Sequence, residues 1–349
     1  MLNIYKHIIR PLLFSLDPEK AQHISDYVLR DPNLWKMASR LFTYGDPILR
    51  TSTGGITLSN PIGLAAGFDK DCRILPSMEL LGFGYVTGGT ITKDPRLGNA
   101  KPRVIRVKER KAIINSLGFP GSGLEEVITR LSTIPIIESP VKRILSISGT
   151  DSADISECHR RLEKFASGIE VNISSPNTDG LRIFQKPDNL RSLIDEINQT
   201  RKSPLFIKLP PFGSLDEHGT QDQDNEMRDE ALELVLASIE LGANSVTIAN
   251  TWPVENSRLA VGKGGLSGGP LIHNTLSMVK SVSQEFGDKI DINACGGIST
   301  GHDIYQALKS GASTVQVYTS LIYEGPGLIK KMKKVLAGAL KDDQVFDAA

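Results

Sequence analysis

The chain has 349 residues, enough for one barrel of roughly 250 residues with an appendage or for two ordinary domains. Its 40 Lys and Arg balance 40 Asp and Glu, and no basic stripe interleaved with aromatics occurs, which argues against a nucleic-acid partner. Three cysteines, Cys72, Cys158 and Cys295, lack CxxC spacing and are odd in number; they imply neither a zinc site nor a disulfide framework and read as buried or incidental thiols in a reducing compartment.

No apolar run reaches the roughly 18 residues of a membrane helix. Lys6, His7, Arg10 and Pro11 also break up any signal-peptide core, so the chain is expected neither to span a membrane nor to be exported by that route. Residues 1–45 form the first unit. Ile4, Ile8 and Leu12, with Tyr5, Ile9, Leu13 and Leu16, recur at helical spacing, and Asp17-Pro18 starts a second helix through Ala21, Ile24, Val28 and Leu29. This apolar hairpin either packs on the main domain or rests on a bilayer and admits a lipophilic molecule.

From residue 56 short apolar runs alternate with amphipathic ones. Strands are expected near 61–66, 83–89, 143–148, 168–173, 204–209, 244–249, 289–294 and 313–317, and helices near 70–80, 121–132, 154–166, 187–200, 226–241, 270–286, 301–310 and 325–339. Eight alternations are the pattern of a (β/α)8 TIM barrel, here residues 46–340. Pro102 to Asn115 reads as a hairpin over the barrel top, 212–225 as a mobile loop, and 341–349 as a flexible tail.

In such a barrel the chemistry sits on the loops after the strands. The densest set of polar groups is Asn172-Ile173-Ser174-Ser175-Pro176-Asn177, where Asn amides suit the edge of a planar heterocycle and Ser a proton acceptor or nucleophile. Ser, Pro and Asn are also ordinary turn residues. Other strand ends carry Ala66-Gly67 and Lys70, Thr90, Ser146, Lys208, Asn250-Thr251, Gly297 and Tyr318-Thr319. Gly268, Gly297 and Thr319 fall where the fold places a phosphate. Lys70 and Lys208 end strands beside that place and can offset an electron-rich ring or a carboxylate. No strand is followed by GxGxxG, no His pair has metal spacing, and none of the six His falls at a strand end, so metal and His-dependent chemistry are disfavoured.

Four runs together resemble the dihydroorotate dehydrogenase family: Ala65-Ala66-Gly67-Phe68-Asp69-Lys70, Gly98 through Arg103, Asn172 through Thr178 with Gly180-Leu181-Arg182, and Gly264-Gly265-Leu266-Ser267-Gly268. Ser174-Ser175-Pro176, where the soluble class has a cysteine base, and the N-terminal hairpin resemble the membrane-associated, quinone-dependent class. The resemblance implies flavin mononucleotide (FMN) contacts at Ala66, Gly67, Lys70, Thr90, Asn172, Lys208, Gly268, Gly297, Tyr318 and Thr319. It implies substrate contacts at Lys70, Asn115, Ser116, Leu117, Gly118, Phe119, Asn172, Asn177, Asn250 and Thr251, and no metal.

The chain departs from the family pattern in three places. Gly118-Phe119-Pro120-Gly121 replaces Gly-Phe-Asn-Asn; Ser146 stands where an Asn is usual and would be the flavin contact there; Ala249 replaces a hydroxyl residue and leaves only a backbone contact to the flavin. The implied reaction is oxidation of dihydroorotate to orotate in pyrimidine biosynthesis, Ser175 taking the C5 proton, Lys70 holding the product, and a quinone taking the electrons. Serine is a weak base, so a relay through Thr178 and water, and activity rising towards alkaline pH, are expected. Peripheral attachment at the cytoplasmic face of the membrane is expected too. The rivals are another FMN barrel acting on a different pyrimidine or enone, a lyase using Lys208 as a Schiff-base amine, and a catalytically dead membrane-associated binding protein.

Overall fold

Short, buried, β-branched runs need partners on both edges, and here eight of them satisfy one another by closing on themselves. The structure, a computed structural model, describes residues 4–134, 141–174, 180–215 and 221–347. Strands β1 (Ile62–Asp69), β2 (Tyr85–Ile91), β3 (Lys142–Ile147), β4 (Gly168–Asn172), β5 (Leu205–Lys208), β6 (Ser245–Ile248), β7 (Asp291–Cys295) and β8 (Thr314–Val317) pair in parallel, in sequence order, as a closed barrel. All eight lie at the expected places. Asn172 pairs with Lys208 and Lys208 with Thr247, so polar residues of successive strands share one level near the C-terminal ends.

The opposite end is plugged. A small antiparallel hairpin, Thr51–Thr53 with Ile56–Leu58, brings Ile56 and Leu58 against Tyr85, Ile144 and Phe206. A Cβ at Gly63 would stand 2.1 Å from the Tyr85 ring, which fixes glycine there. Outside, helices such as Pro187–Asn198 bury Leu190, Leu193, Ile194 and Ile197 against the barrel. The helix expected near 70–80 contracts to Leu75–Glu79, because the buried Asp69 carboxylate holds the Arg73 and Ile74 N–H groups in a turn. The loop expected over 212–225 is helical from Gln221, residues 216–220 lying outside the described set, and the last helix runs Leu328–Asp347, into the expected tail.

Above the barrel lies a four-stranded antiparallel sheet in the order Trp252–Glu255, Lys263–Gly268, Ala112–Asn115, Val104–Val107. The expected hairpin supplies two of its strands. The Gly264–Gly268 run, just before the helix expected from residue 270, is a strand, with Gly268 opposite Ala112. Glycines have little strand propensity of their own, and this pairing spans about 150 residues of sequence.

The N-terminal unit has three helices where two were expected. A π-helical turn, Tyr5–Ile9, leads into α1 (Arg10–Ser15); α2 (Pro18–Leu29) is capped by Asp17, and α3 (Pro32–Phe42) by Asp31. Arg103 anchors the unit by donating to the Glu19 carboxylate at 2.8 and 3.1 Å, and Arg106 by donating to the Leu16 carbonyl at 2.8 Å. Of the sixteen large apolar side chains exposed among the described residues, eleven lie between Ile4 and Leu41, so this unit turns an apolar face outward as well as inward. No helix among the described residues is long and apolar enough to cross a membrane.

Candidate active site

One cavity of about 560 Å³ runs from the C-terminal mouth of the barrel up between the cap sheet and the N-terminal helices. Its floor is polar. Asn172, at the end of β4, donates through Nδ2 to Thr90 Oγ1 (3.1 Å), which pairs with Ser146 Oγ (3.1 Å). The Asn172 Oδ1 accepts from the Ser174 N–H and hydroxyl, and Asn250 Nδ2 donates to Ser174 Oγ at 2.9 Å. Five residues on four strand ends thus hold one another's amides in fixed orientation, which costs less on binding than ordering free side chains.

Lys208 lies beside them with Nζ 3.9 Å from Cys295 Sγ. Burial works against its charge, but the Cys295 sulfur and the Glu170 carboxylate hold its ammonium above the ordinary lysine value. Glu170 is buried below; Oε2 accepts from Thr247 Oγ1 at 2.9 Å and Gln316 Nε2 at 3.4 Å, while Oε1 has no partner among the described residues. Burial pushes the Cys295 thiol up, against the pull of the neighbouring Lys208 ammonium. Lys70 donates to the Gly67 carbonyl at 2.9 Å at the other side of the floor.

One corner is shaped by backbone. Gly268 (φ 98°) and Gly297 (φ 73°) both take left-handed conformations, and a Cβ on them would stand 2.4 Å from the Lys111 carbonyl oxygen and 2.3 Å from the Ile272 nitrogen. Thr319 and Ser320, opening the short helix Thr319–Glu324, line the same cavity, with Ser267 and Thr319 hydroxyls paired at 2.8 Å. A concave backbone beside a helix start with hydroxyls is suited to a phosphate. Tyr318 meets Phe68 edge-on at 5.3 Å and donates to the Gly67 carbonyl at 3.3 Å, closing the wall.

The loop Asn115 to Phe119 forms the side wall. Asn99 holds it by donating to the Ser116 carbonyl at 2.9 Å, and Arg103 Nη1 donates to the Leu97 and Asn99 carbonyls. Arg103 therefore joins the segment Leu97 to Asn99, which braces this loop, to Glu19 of α2 through one guanidinium. Pro120-Gly121, the departure from the family pattern, is tied down as well: Gly121 and Arg96 exchange two backbone hydrogen bonds of 2.9 and 3.0 Å.

The cavity brings together Ala66, Gly67, Lys70, Thr90, Asn172, Lys208, Ala249, Asn250, Thr251, Gly268, Gly297, Tyr318 and Thr319, with Asn115, Leu117, Gly118 and Phe119. Two expected contacts stand back from the wall. Ser146 is buried behind Thr90, and Ser116 is buried with its hydroxyl unpartnered among the described residues. Ser175, Asn177 and Thr178 lie outside the described residues. Residues not anticipated are Glu170, Gln316 and Cys295, the last lining the cavity rather than being an incidental thiol. Glu170 was findable, since it stands two positions before Asn172 on one strand and so shares its face.

Above the floor the walls become apolar: Ile9, Leu13, Phe14, Val28, Leu29 and Trp35 from the N-terminal unit face Val104, Ile113 and Phe68. Phe14 packs edge-on against Tyr323 at 5.2 Å, with the Arg106 guanidinium over its ring at 4.6 Å. Tyr5 donates to the Ile322 carbonyl at 2.6 Å, and Glu324 pairs with Lys6 and Lys111.

Residues 48–340 match the sequence model of the family described as dihydroorotate dehydrogenase. A protein named dihydroorotate dehydrogenase (quinone) from Sulfurimonas denitrificans is 34% identical over 346 residues, covering 96% of this chain and 94% of its own. The protein of the same name from Polynucleobacter necessarius is 35% identical over 347 residues, covering 94% and 97%. Among solved structures, DHODH from Eimeria tenella in complex with ferulenol has a TM-score of 0.79 at 30% identity, covering 94% of this chain and 93% of that one.

Proposed function

The chain belongs to the dihydroorotate dehydrogenase family, and from that membership and the shape of its cavity we propose an FMN-bearing enzyme whose polar floor oxidises dihydroorotate and whose apolar throat admits a quinone. Oxidation of dihydroorotate to orotate, with a quinone as electron acceptor, is the activity of the quinone-dependent family members that this chain matches along its length. The observation that carries the reading is the continuity of a single cavity from Asn172 and Lys208 to Leu13 and Trp35.

The residues present fit FMN. The corner of Gly268 and Gly297, where a Cβ would collide with backbone, is a cradle for its phosphate, and the rigid amides of the floor suit the edge of its ring. When bound, the flavin would accept the hydride from C6 of dihydroorotate and supply the electron pair that the quinone takes up. Lys208, kept cationic over Glu170, would favour electron density on that ring. Thr90, Asn172 and Lys70 would hold it in register.

The pyrimidine would be held by Asn115, Asn172, Asn177 and Asn250, with Lys70 at its carboxylate and Leu117 to Phe119 closing the side. Asn250 and Asn172 share Ser174, so a shift of either amide moves both. Ser175 would take the C5 proton. The throat's outward apolar side chains support peripheral seating on a bilayer, through which a lipophilic quinone enters, and the proposal places that seat at the cytoplasmic face.

The test is purification followed by release of the bound cofactor and a dihydroorotate reduction assay of Ser175→Ala and Ser175→Cys. FMN should be present in all three proteins, flavin reduction should fall by about 100-fold or more in the alanine variant, and part should return with cysteine. Protein that neither carries nor takes up FMN would overturn the reading.

A further inference from the structure

The stoichiometry of the reaction places a demand on the throat. Dihydroorotate gives up a hydrogen with its electron pair at C6 and a proton at C5, whereas a quinone becoming a quinol takes two electrons and two protons. The C6 hydrogen accounts for both electrons and one proton. The C5 proton departs on the floor side, so the quinone's second proton has to enter where the quinone sits.

Most ionisable groups in the throat wall are committed. The Tyr5 and Tyr323 hydroxyls donate to the Ile322 and Ala112 carbonyls, and the Arg106 guanidinium to the Leu16 carbonyl. Glu324 is paired with Lys6 and Lys111. Asp26 differs. It lines the cavity from α2 with Gln22 and Ser25, it is half-buried, and no hydrogen bond or ion pair holds its carboxyl among the described residues. The charged groups around it are His23 and Arg30 of its own helix and Lys70, Arg73 and Asp69 of the segment ending β1.

We propose that Asp26 is the proton donor to the quinone oxygen. The inference rests on the quinone reading of the throat. As the two electrons arrive, the Asp26 O–H bond breaks and the quinone O–H bond forms, leaving a carboxylate that Lys70 and Arg73 stabilise and that solvent reprotonates along the outer edge of α2. Burial raises the Asp26 pKa from its ordinary value, which keeps a donor available further towards neutral pH. Since the protonated form is the active one, the quinone step slows as pH rises through that pKa.

The experiment uses holoenzyme reduced anaerobically with dihydroorotate and then mixed with either a short-chain ubiquinone analogue or ferricyanide, which takes electrons without protons. In Asp26→Asn, reoxidation by the quinone should be about 100-fold slower and lose its decline with pH, while reduction by dihydroorotate and reoxidation by ferricyanide keep wild-type rates. Asp26→Glu should recover most of the quinone rate. A quinone rate within twofold of wild type in Asp26→Asn, or an equal slowing with ferricyanide, would overturn the proposal. Failure of the wild type itself to be reoxidised by quinone would overturn the quinone reading instead, so the two failures are separable.

Discussion

The floor and the throat of the cavity are built by different physics. The floor comes from strand ends whose positions the closed barrel fixes, and its side chains are locked by one another: Asn172 between Thr90 and Ser174, Asn250 on Ser174, Lys208 over Glu170. The throat comes from short helices attached through a few contacts, Glu19 to Arg103 and Leu16 to Arg106 foremost, and walled by apolar side chains without directional bonds. A rigid polar floor orients a small polar substrate; an apolar throat suits a lipophilic one.

The largest expected effect is on the floor. Lys208→Met removes the cation beside the flavin and leaves Glu170 buried without it; flavin reduction by dihydroorotate should fall by at least about 100-fold in rapid-mixing spectroscopy. If the rate stays within a few-fold, the floor is not organised around Lys208. Gly297→Ala should follow, because its Cβ would stand 2.3 Å from the Ile272 nitrogen at φ 73°. The protein should lose bound FMN on dialysis that leaves the wild type yellow, and its melting temperature should drop by several degrees.

The throat should respond separately. Glu19→Ala leaves the largely buried Arg103 guanidinium without its carboxylate, at a cost of about 3 kcal/mol. The quinone KM should rise about tenfold while reduction by dihydroorotate stays within about threefold, since Arg103 retains the Leu97 and Asn99 carbonyls that fix the side loop. An equal loss in both half-reactions would erase the distinction between the two regions.

The distinction also tracks what the sequence conveyed. The eight strands and most outer helices were legible because buried parallel strands are continuous apolar runs and their helices have one apolar stripe. With the strands placed, the loop residues after them followed, and Lys70, Asn172, Lys208 and Thr319 do meet in one cavity. Pairings over long sequence separations were not legible: nothing local marks Lys263–Gly268 as the partner of Ala112–Asn115. Nor was α3, whose Asp31-Pro32 start repeats the Asp17-Pro18 signal only after Arg30 has broken the preceding apolar stripe. Local sequence marks Arg103 only as part of a motif; its role as the tether between side loop and α2 depends on Glu19, 84 residues away.

The smallest expected effect concerns acid stability. Asp69, buried at the end of β1, has its pKa raised to about 6 by burial, so folding favours its protonated form and stability falls as pH rises from about 4 to 6. His159, buried in the outer ring, is pushed down to about 4 by burial, so stability falls instead as pH drops from about 6.5 to 4. Each amounts to about 3 kcal/mol, and the two nearly cancel. Removing the imidazole in His159→Leu should therefore leave the Asp69 contribution unopposed and tilt the melting-temperature profile downwards with rising pH relative to wild type; a profile parallel to wild type in that variant would refute the balance.

The most direct test of a single cavity serving two half-reactions is an anaerobic titration of the wild-type protein followed by its visible spectrum. Dihydroorotate should bleach the flavin, a ubiquinone analogue should restore the colour, and fumarate in a parallel cuvette should not. Bleaching followed by recovery with fumarate but not quinone, or no bleaching at all, would contradict the account.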